Sequence, residues 1–260
     1  MPNTLQHSLR HGLISLYAFY LAGCTAASQH TPHETPAQAE AQFTRQMLDI
    51  LQNDMQLANQ QDLVGAVLLD VTLERDGRPS ACQARLAPQK YTSRMPADAV
   101  WAPEQALTAL VTDQCRKSLF PIPPKAMRNH QGQLQVVAPI RFMPSEGSSA
   151  VREYLRQRVP RQAFAWQHLM AGETVIGTGY AFFWFEGDAN GKVTRCLVEL
   201  TPDRFAPSRF KPDNFLKQRL HARCLALDLR RMPGFALDSQ GANRGHVELE
   251  YAPWKLKASQ

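Results

Sequence analysis

GAVLLDVTLERDGRPSACQARLAP, residues 65–88, and GYAFFWFEGDANGKVTRCLVELTP, residues 179–202, lie over one another without a gap. Gly65 and Gly179, Gly77 and Gly191, Cys82 and Cys196, Leu86 and Leu200, and Pro88 and Pro202 coincide at one offset of 114. A second offset of 109 aligns Cys115 with Cys224 and Pro144 with Pro253. The first copy therefore gains five residues between Pro88 and Cys115, where YTSRMPADAVWAP reads as a loop. Chance matches do not hold one offset through five positions and a second through the rest, so the pattern indicates two copies of one domain, residues 41–144 and 145–260.

Each copy carries the same succession of elements. Phe43, Met47, Ile50, Leu51 and Leu57 fall near helical spacing over residues 43–58, and the counterpart helix covers 148–170 with an interruption expected at Pro160. Val67, Leu69, Val71 and Leu73 alternate as in a strand, Asp76-Gly77 supplies the turn, and a second strand runs from about residue 80 to 86. In the second copy Asn190-Gly191 is the turn. A second helix places Leu107, Val111, Cys115 and Ser118 on one face, with Leu216, Leu220, Cys224 and Leu227 at the matching positions, and a last strand covers 134–142 or 245–251. The fold class is α+β: helix, hairpin, helix, strand, twice.

The chain has 260 residues and 44% hydrophobic content, enough for real cores, which excludes wholesale disorder and collagen-like structure. It contains five cysteines, an odd number. Four of them allow three pairings, but only Cys82 with Cys115 and Cys196 with Cys224 treat both copies alike within one domain. Neither Cys-x-x-Cys nor nearby histidine spacing occurs, so no metal site is expected. The fifth, Cys24, closes Leu21-Ala22-Gly23-Cys24 after a basic start and an apolar stretch over 13–22. That stretch is too short to cross a bilayer and reads as a secretion signal, residues 1–23. The four residues resemble the lipobox of bacterial lipoproteins, and the resemblance implies lipidation at Cys24, a membrane anchor made of acyl chains, and, with Thr25 following, an outer-membrane destination. Residues 24–40, polar and Pro-containing, read as a flexible tether.

The order of elements resembles the C-terminal domain of TonB and its periplasmic relatives. The first copy carries the likeness best: GAVLLDVTLERDG, then EQALTALVTDQCRKSLF running into Phe120-Pro121-Ile122-Pro123-Pro124, then Val137-Ala138-Pro139-Ile140-Arg141-Phe142. In the second copy Met232-Pro233-Gly234-Phe235 and HVELEY stand in their places. The resemblance implies a periplasmic protein-binding module that adds a partner's peptide strand to a sheet edge. The last strand of either copy is the expected edge, the second copy's His246, Val247, Leu249 and Tyr251 more so because Pro139 removes a donor from the first. With no transmembrane helix and no long Pro-rich arm, energy transduction is disfavoured.

Tyr180-Ala181-Phe182-Phe183-Trp184-Phe185 is the most unusual segment. Ala181, Phe183 and Phe185 take the helix-facing positions, which leaves Tyr180, Phe182 and Trp184 on the opposite face. Aromatic rings are seldom left in water, so that face is expected to pack against the first copy, with Trp184 at the contact, or against its own N-terminal helix, or else to form a surface for a partner or lipid. Residues 24–144 hold 11 basic and 11 acidic side chains, whereas 145–260 hold 17 and 12. The excess includes Arg152, Arg156, Arg158 and Arg161, and Lys217, Arg219, Arg223, Arg230 and Arg231. Export removes nucleic acid as a partner and leaves anionic lipid or an acidic protein. No catalytic motif occurs, His168, His221 and His246 have no enforced acid-base spacing, and no cofactor is expected. The expected role is a lipid-anchored binding or scaffold module of the cell envelope, not an enzyme; the alternative is an envelope hydrolase or a toxin-neutralising immunity lipoprotein.

Overall fold

A computed structural model describes residues 35–93, 95, 99–143, 149–236 and 243–258. Cys24, the signal segment and most of the tether fall outside the described residues. The chain orders as α1 (Pro36–Ala58), β1 (Gly65–Leu73), β2 (Pro79–Leu86), α2 (Glu104–Lys117), β3 (Leu134–Phe142), α3 (Ser149–Ala165), β4 (Gly179–Gly187), β5 (Val193–Pro202), α4 (Asn214–Leu225), β6 (Asn243–Tyr251) and α5 (Pro253–Ala258). The strands form two antiparallel three-stranded sheets of the same topology, β2-β1-β3 and β5-β4-β6.

The correspondence between the halves extends to register. Val67 pairs with Leu86 and Ala181 with Leu200, and each hairpin carries an irregularity at the same place, after Thr72 and after Glu186. Gly77 and Gly191 adopt φ of 79° and 76°, the left-handed region that glycine enters at no steric cost. Both are also pressed from outside. A Cβ on Gly77 would come within 2.6 Å of the Pro121 carbonyl oxygen, and one on Gly191 within 2.5 Å of Arg230 Cγ.

One face of each sheet carries the helices. Val67, Leu69, Val71 and Leu73 join Phe43, Met47, Ile50, Leu51 and Met55 of α1 and Leu107, Val111 and Cys115 of α2 in the first core. Ala181, Phe183 and Phe185 meet Leu216, Leu220 and Cys224 of α4 and Leu169 and Met170 in the second. The cystines Cys82–Cys115 and Cys196–Cys224 tie the second hairpin strand of each half to the inner face of the helix above it, as the repeat requires.

Two expectations about the first helices need correction. α1 starts at Pro36, inside the stretch read as tether. Thr35 accepts from the Gln38 N–H while the Gln38 side chain accepts from Thr35, a capping box that satisfies two of the helix's free donors, and Pro36 takes the first helical position. α3 does not break at Pro160. One lost backbone bond is not enough to end a helix whose next turns, with Ala165, Leu169 and Met170, are locked in the core. The departure comes later, at Trp166–Met170, a π-turn closed by the Ala171 N–H on the Trp166 carbonyl at 3.0 Å.

From Thr35 onward the two halves pack as one body. α5 lies against α2, and Phe205 of the second half packs on the first core. At the centre of this contact Arg209 donates to the Asp76 carbonyl at 2.9 Å, to the Phe120 carbonyl at 2.8 Å and to Asp203 Oδ2 at 2.9 Å. The Asp203 side chain is fully buried and that of Arg209 is 8% exposed. One guanidinium thus holds the turn and the Pro-rich segment of the first half while neutralising a buried carboxylate of the second.

Candidate binding face

The sites on these sheets follow from which way each strand points its backbone and side chains. The Ala87 N–H bonds to the Ala66 carbonyl, which makes Val67 and Leu86 a non-hydrogen-bonded pair and turns Val67 toward Ile140 of β3. Pro139 and Arg141 then direct their backbone groups to the open side, so the missing N–H of Pro139 costs the ladder nothing. Neither last-strand edge is bare, however. Gln56 of α1 donates to the Arg141 carbonyl at 3.4 Å, and Gln162 of α3 donates to the Glu248 carbonyl at 3.2 Å. The edge of β2 is also met, by the Thr112 hydroxyl accepting from the Ala84 N–H at 3.1 Å. A peptide strand added along β6 has to displace the Gln162 amide. Val247, Leu249 and Tyr251 turn their side chains into the core, so of the residues expected to bind on β6 only His246 offers its side chain to solvent.

The face of the second sheet away from the helices is different. Tyr180, Phe182 and Trp184 stand in a row there. Phe182 and Trp184 stack at 5.7 Å between centroids with 15° between planes, and Tyr180 tilts against Phe182 at 6.3 Å. Cross-strand neighbours complete the face: Trp184 lies between Leu197 and His246, Phe182 between Glu199 and Glu248, and Tyr180 between Thr201 and Glu250. Trp184 is 40% exposed and Leu197 60% exposed. In the first sheet the positions of Tyr180 and Phe182 are held by Ala66 and Leu68, both buried, and that of Trp184 by Asp70, which is part-exposed. Trp184 is therefore not at the contact between the halves, contrary to expectation; it lines an open hollow with Glu186, Arg195, Leu197, Arg244 and His246. The contact reaches Tyr180 and the near side of Phe182, which line a groove with Asn53, Leu57 and Leu119 of the first half, and leaves Trp184 outside. Beyond Trp184 the face ends in an ion-pair cluster, Glu186 with Arg195 at 3.3 Å and with Arg244 at 2.6 Å, which holds the Glu186 carboxyl below its usual range, chiefly through the Arg244 hydrogen bond.

At the Tyr180 end a groove opens between the halves. One part of about 460 Å³ and a second of about 670 Å³ share Asp54, Leu57, Arg158, Tyr180, Glu248 and Glu250. Burial pushes the Tyr180 hydroxyl well above the ordinary phenol range, with Glu250 adding to it, and burial likewise raises Glu248. Asp54 of α1 is raised to about 6, by burial first and then by Glu250, against the opposing hydrogen bond from Ser118, whose Oγ lies 2.5 Å away. Lys255 of α5 pairs with Glu250 at 2.9 Å. Between about pH 4 and pH 6 the folded chain keeps the Asp54 proton that the unfolded chain releases, so this group makes stability fall as pH rises through that window. Asp54→Asn is expected to remove the slope, at most about 1.4 kcal/mol per pH unit. Urea unfolding of both proteins from pH 4 to pH 7 measures it; parallel curves would show that Asp54 titrates normally.

The basic excess of the second half is largely occupied. Arg219 and Arg223 both pair with the buried Glu173, at 2.8 and 3.1 Å, Arg230 pairs with Asp228 at 2.9 Å, and Arg161 donates to the Gly234 carbonyl at 3.0 Å. The side chains of Arg152 and Arg156 lie outside the described residues. His168 is held on its own helix, Nδ1 at 2.8 Å from the Phe164 carbonyl oxygen, and His221 is exposed on α4. Sequence reasoning singled out Phe182, Trp184 and His246, which the sheet brings together, and missed Leu197, Glu199 and the groove. Strand pairing would have found the first two, since both lie opposite the aromatic row. No group of three or more His, Cys, Asp or Glu side chains suited to a metal occurs among the described residues, and none of their helices is long and apolar enough to cross a membrane. Comparison with protein-family models, with curated proteins and with solved structures finds no match to this chain.

Proposed function

We propose that the chain is a periplasmic lipoprotein, anchored through Cys24 at the outer membrane, whose TonB C-terminal-like halves serve as a protein-binding or scaffold module of the cell envelope. One observation carries the binding part of this reading: a stacked Phe182–Trp184 pair, bordered by Leu197, stands on a sheet face that is open to solvent at Trp184 and Leu197, where the first half has Asp70 and Gln83. Aromatic side chains clustered on an otherwise polar surface are the usual anchors of protein interfaces. Docking on this face replaces the expected strand addition as the favoured mode, because α1 and α3 already reach the two last-strand edges.

A photo-crosslinking residue at Leu197, used in intact cells and read by mass spectrometry, tests the reading and reports acylation at Cys24 in the same spectra. Trp184→Ala is expected to lower the yield of a specific protein adduct at least tenfold, as for an interface hot spot, while leaving the urea midpoint nearly unchanged. An unchanged yield would argue against docking at this face.

The groove gives the hydrolase alternative its one supporting observation, two carboxylates with raised pKa, Asp54 and Glu248, facing one cleft. That reading requires Asp54→Asn to abolish an activity while leaving capture at Leu197 intact.

A further inference from the structure

Building on the docking reading of the open face, we infer that the partner offers an extended basic segment, which lays an arginine or lysine over the Phe182 ring between the carboxylates of Glu199 and Glu248. The register supplies the geometry. Glu199 of β5 and Glu248 of β6 are the two direct cross-strand neighbours of Phe182, so all three side chains rise from the same face, with the ring in the middle. A cation seated there meets the negative face of an aromatic ring and a carboxylate on either side.

These two glutamates differ from the other carboxylates of the second half. Among the described residues Glu173, Glu186, Asp203, Asp228 and Glu250 each hold an arginine or lysine, and the side chains of Glu153, Asp188 and Asp213 each accept a hydrogen bond. Among the described residues Glu199 and Glu248 have no ion pair and no side-chain hydrogen bond; Gln162 takes only the backbone carbonyl of Glu248. Arg158, His246 and Arg204 act on Glu248 from a distance against Glu250, and none of them forms an ion pair with it.

The next position along the row sets the rest of the segment. Phe182 and Trp184 are separated by 5.7 Å, close to the spacing of alternate side chains in an extended chain. A segment running along β4 therefore places its basic residue on Phe182 and an apolar residue, two positions on, against Trp184 and Leu197. An anionic membrane surface would meet the Glu199 and Glu248 charges and be repelled.

The test uses the purified mature chain and a blocked pentapeptide, Thr-Arg-Thr-Leu-Thr, against the same peptide with glutamate in place of arginine. The arginine peptide is expected to shift the amide resonances of Phe182, Trp184, Glu199 and Glu248, the glutamate peptide to leave them in place. Glu199→Gln with Glu248→Gln, each isosteric with the residue it replaces, is expected to weaken the arginine peptide at least tenfold, and raised salt to weaken it in the parent chain. Equal response to both peptides, no response to either, or undiminished affinity in the double variant would overturn the basic-segment assignment. The crosslink at Leu197 separates this from the reading beneath it. A protein adduct that disappears with Trp184→Ala but ignores the double variant leaves docking standing and removes the basic segment; an adduct with lipid alone, or none, removes both.

Discussion

Arg209→Ala is expected to cost the protein about 3–5 kcal/mol, because it leaves a buried charge without its partner. Asp203 is fully buried and Arg209 is its ion-pair partner, so the substitution must either strand the carboxylate or force it to take up a proton. Burial lowers the pKa of Arg209 and Asp203 opposes that shift, which keeps the guanidinium charged inside. Its other two bonds go to backbone carbonyls of the first half, Asp76 and Phe120, so their loss also loosens the contact between the halves. Urea unfolding measures the cost. Asp203→Asn combined with Arg209→Met removes both charges and is expected to recover part of the loss, since it leaves no unpaired charge. A single-variant effect below about 1 kcal/mol would mean that Asp203 finds water or another donor, and that Arg209 is not the clamp.

Removing either cystine is the second large effect. Cys82 and Cys115 are 33 positions apart and Cys196 and Cys224 are 28, so in the chain-entropy model each bridge stabilises by about 3.5–4 kcal/mol, and the two differ by only about 0.1–0.2 kcal/mol. Cys82→Ala with Cys115→Ala, and Cys196→Ala with Cys224→Ala, are therefore expected to shift the denaturation midpoint by similar amounts. Removing both pairs subtracts on the order of 7 kcal/mol from a total that is about 5–15 kcal/mol for ordinary domains, which leaves a chain at the edge of folding. Denaturant titration of the three variants checks this. A loss below about 1 kcal/mol in either pair would show that its bridge constrains little.

The elements legible in the sequence were those with a short period or a repeated position. The strand of alternating Val67, Leu69, Val71 and Leu73 announces its buried face by a period of two, and the glycine turns and cystine partners are fixed by the shared offset. α1 was read too short because the prolines and polar residues around Thr35 look like a linker, and only the capping pair with Gln38 shows that they open a helix. Trp184 was misplaced by a sound rule, that aromatic faces seek cover, applied to a row in which Tyr180 and Phe182 find it in part and Trp184 does not. The groove and Arg209 could not be read at all. They depend on groups 133 and 89 positions away in the chain, contacts with no local period.

The helix α5 resting on α2 makes a six-residue element of the second half part of the surface of the first. A chain cut before Pro253 would therefore be changed in both halves at once: that side of α2 would lose its cover, and Glu250 would lose Lys255.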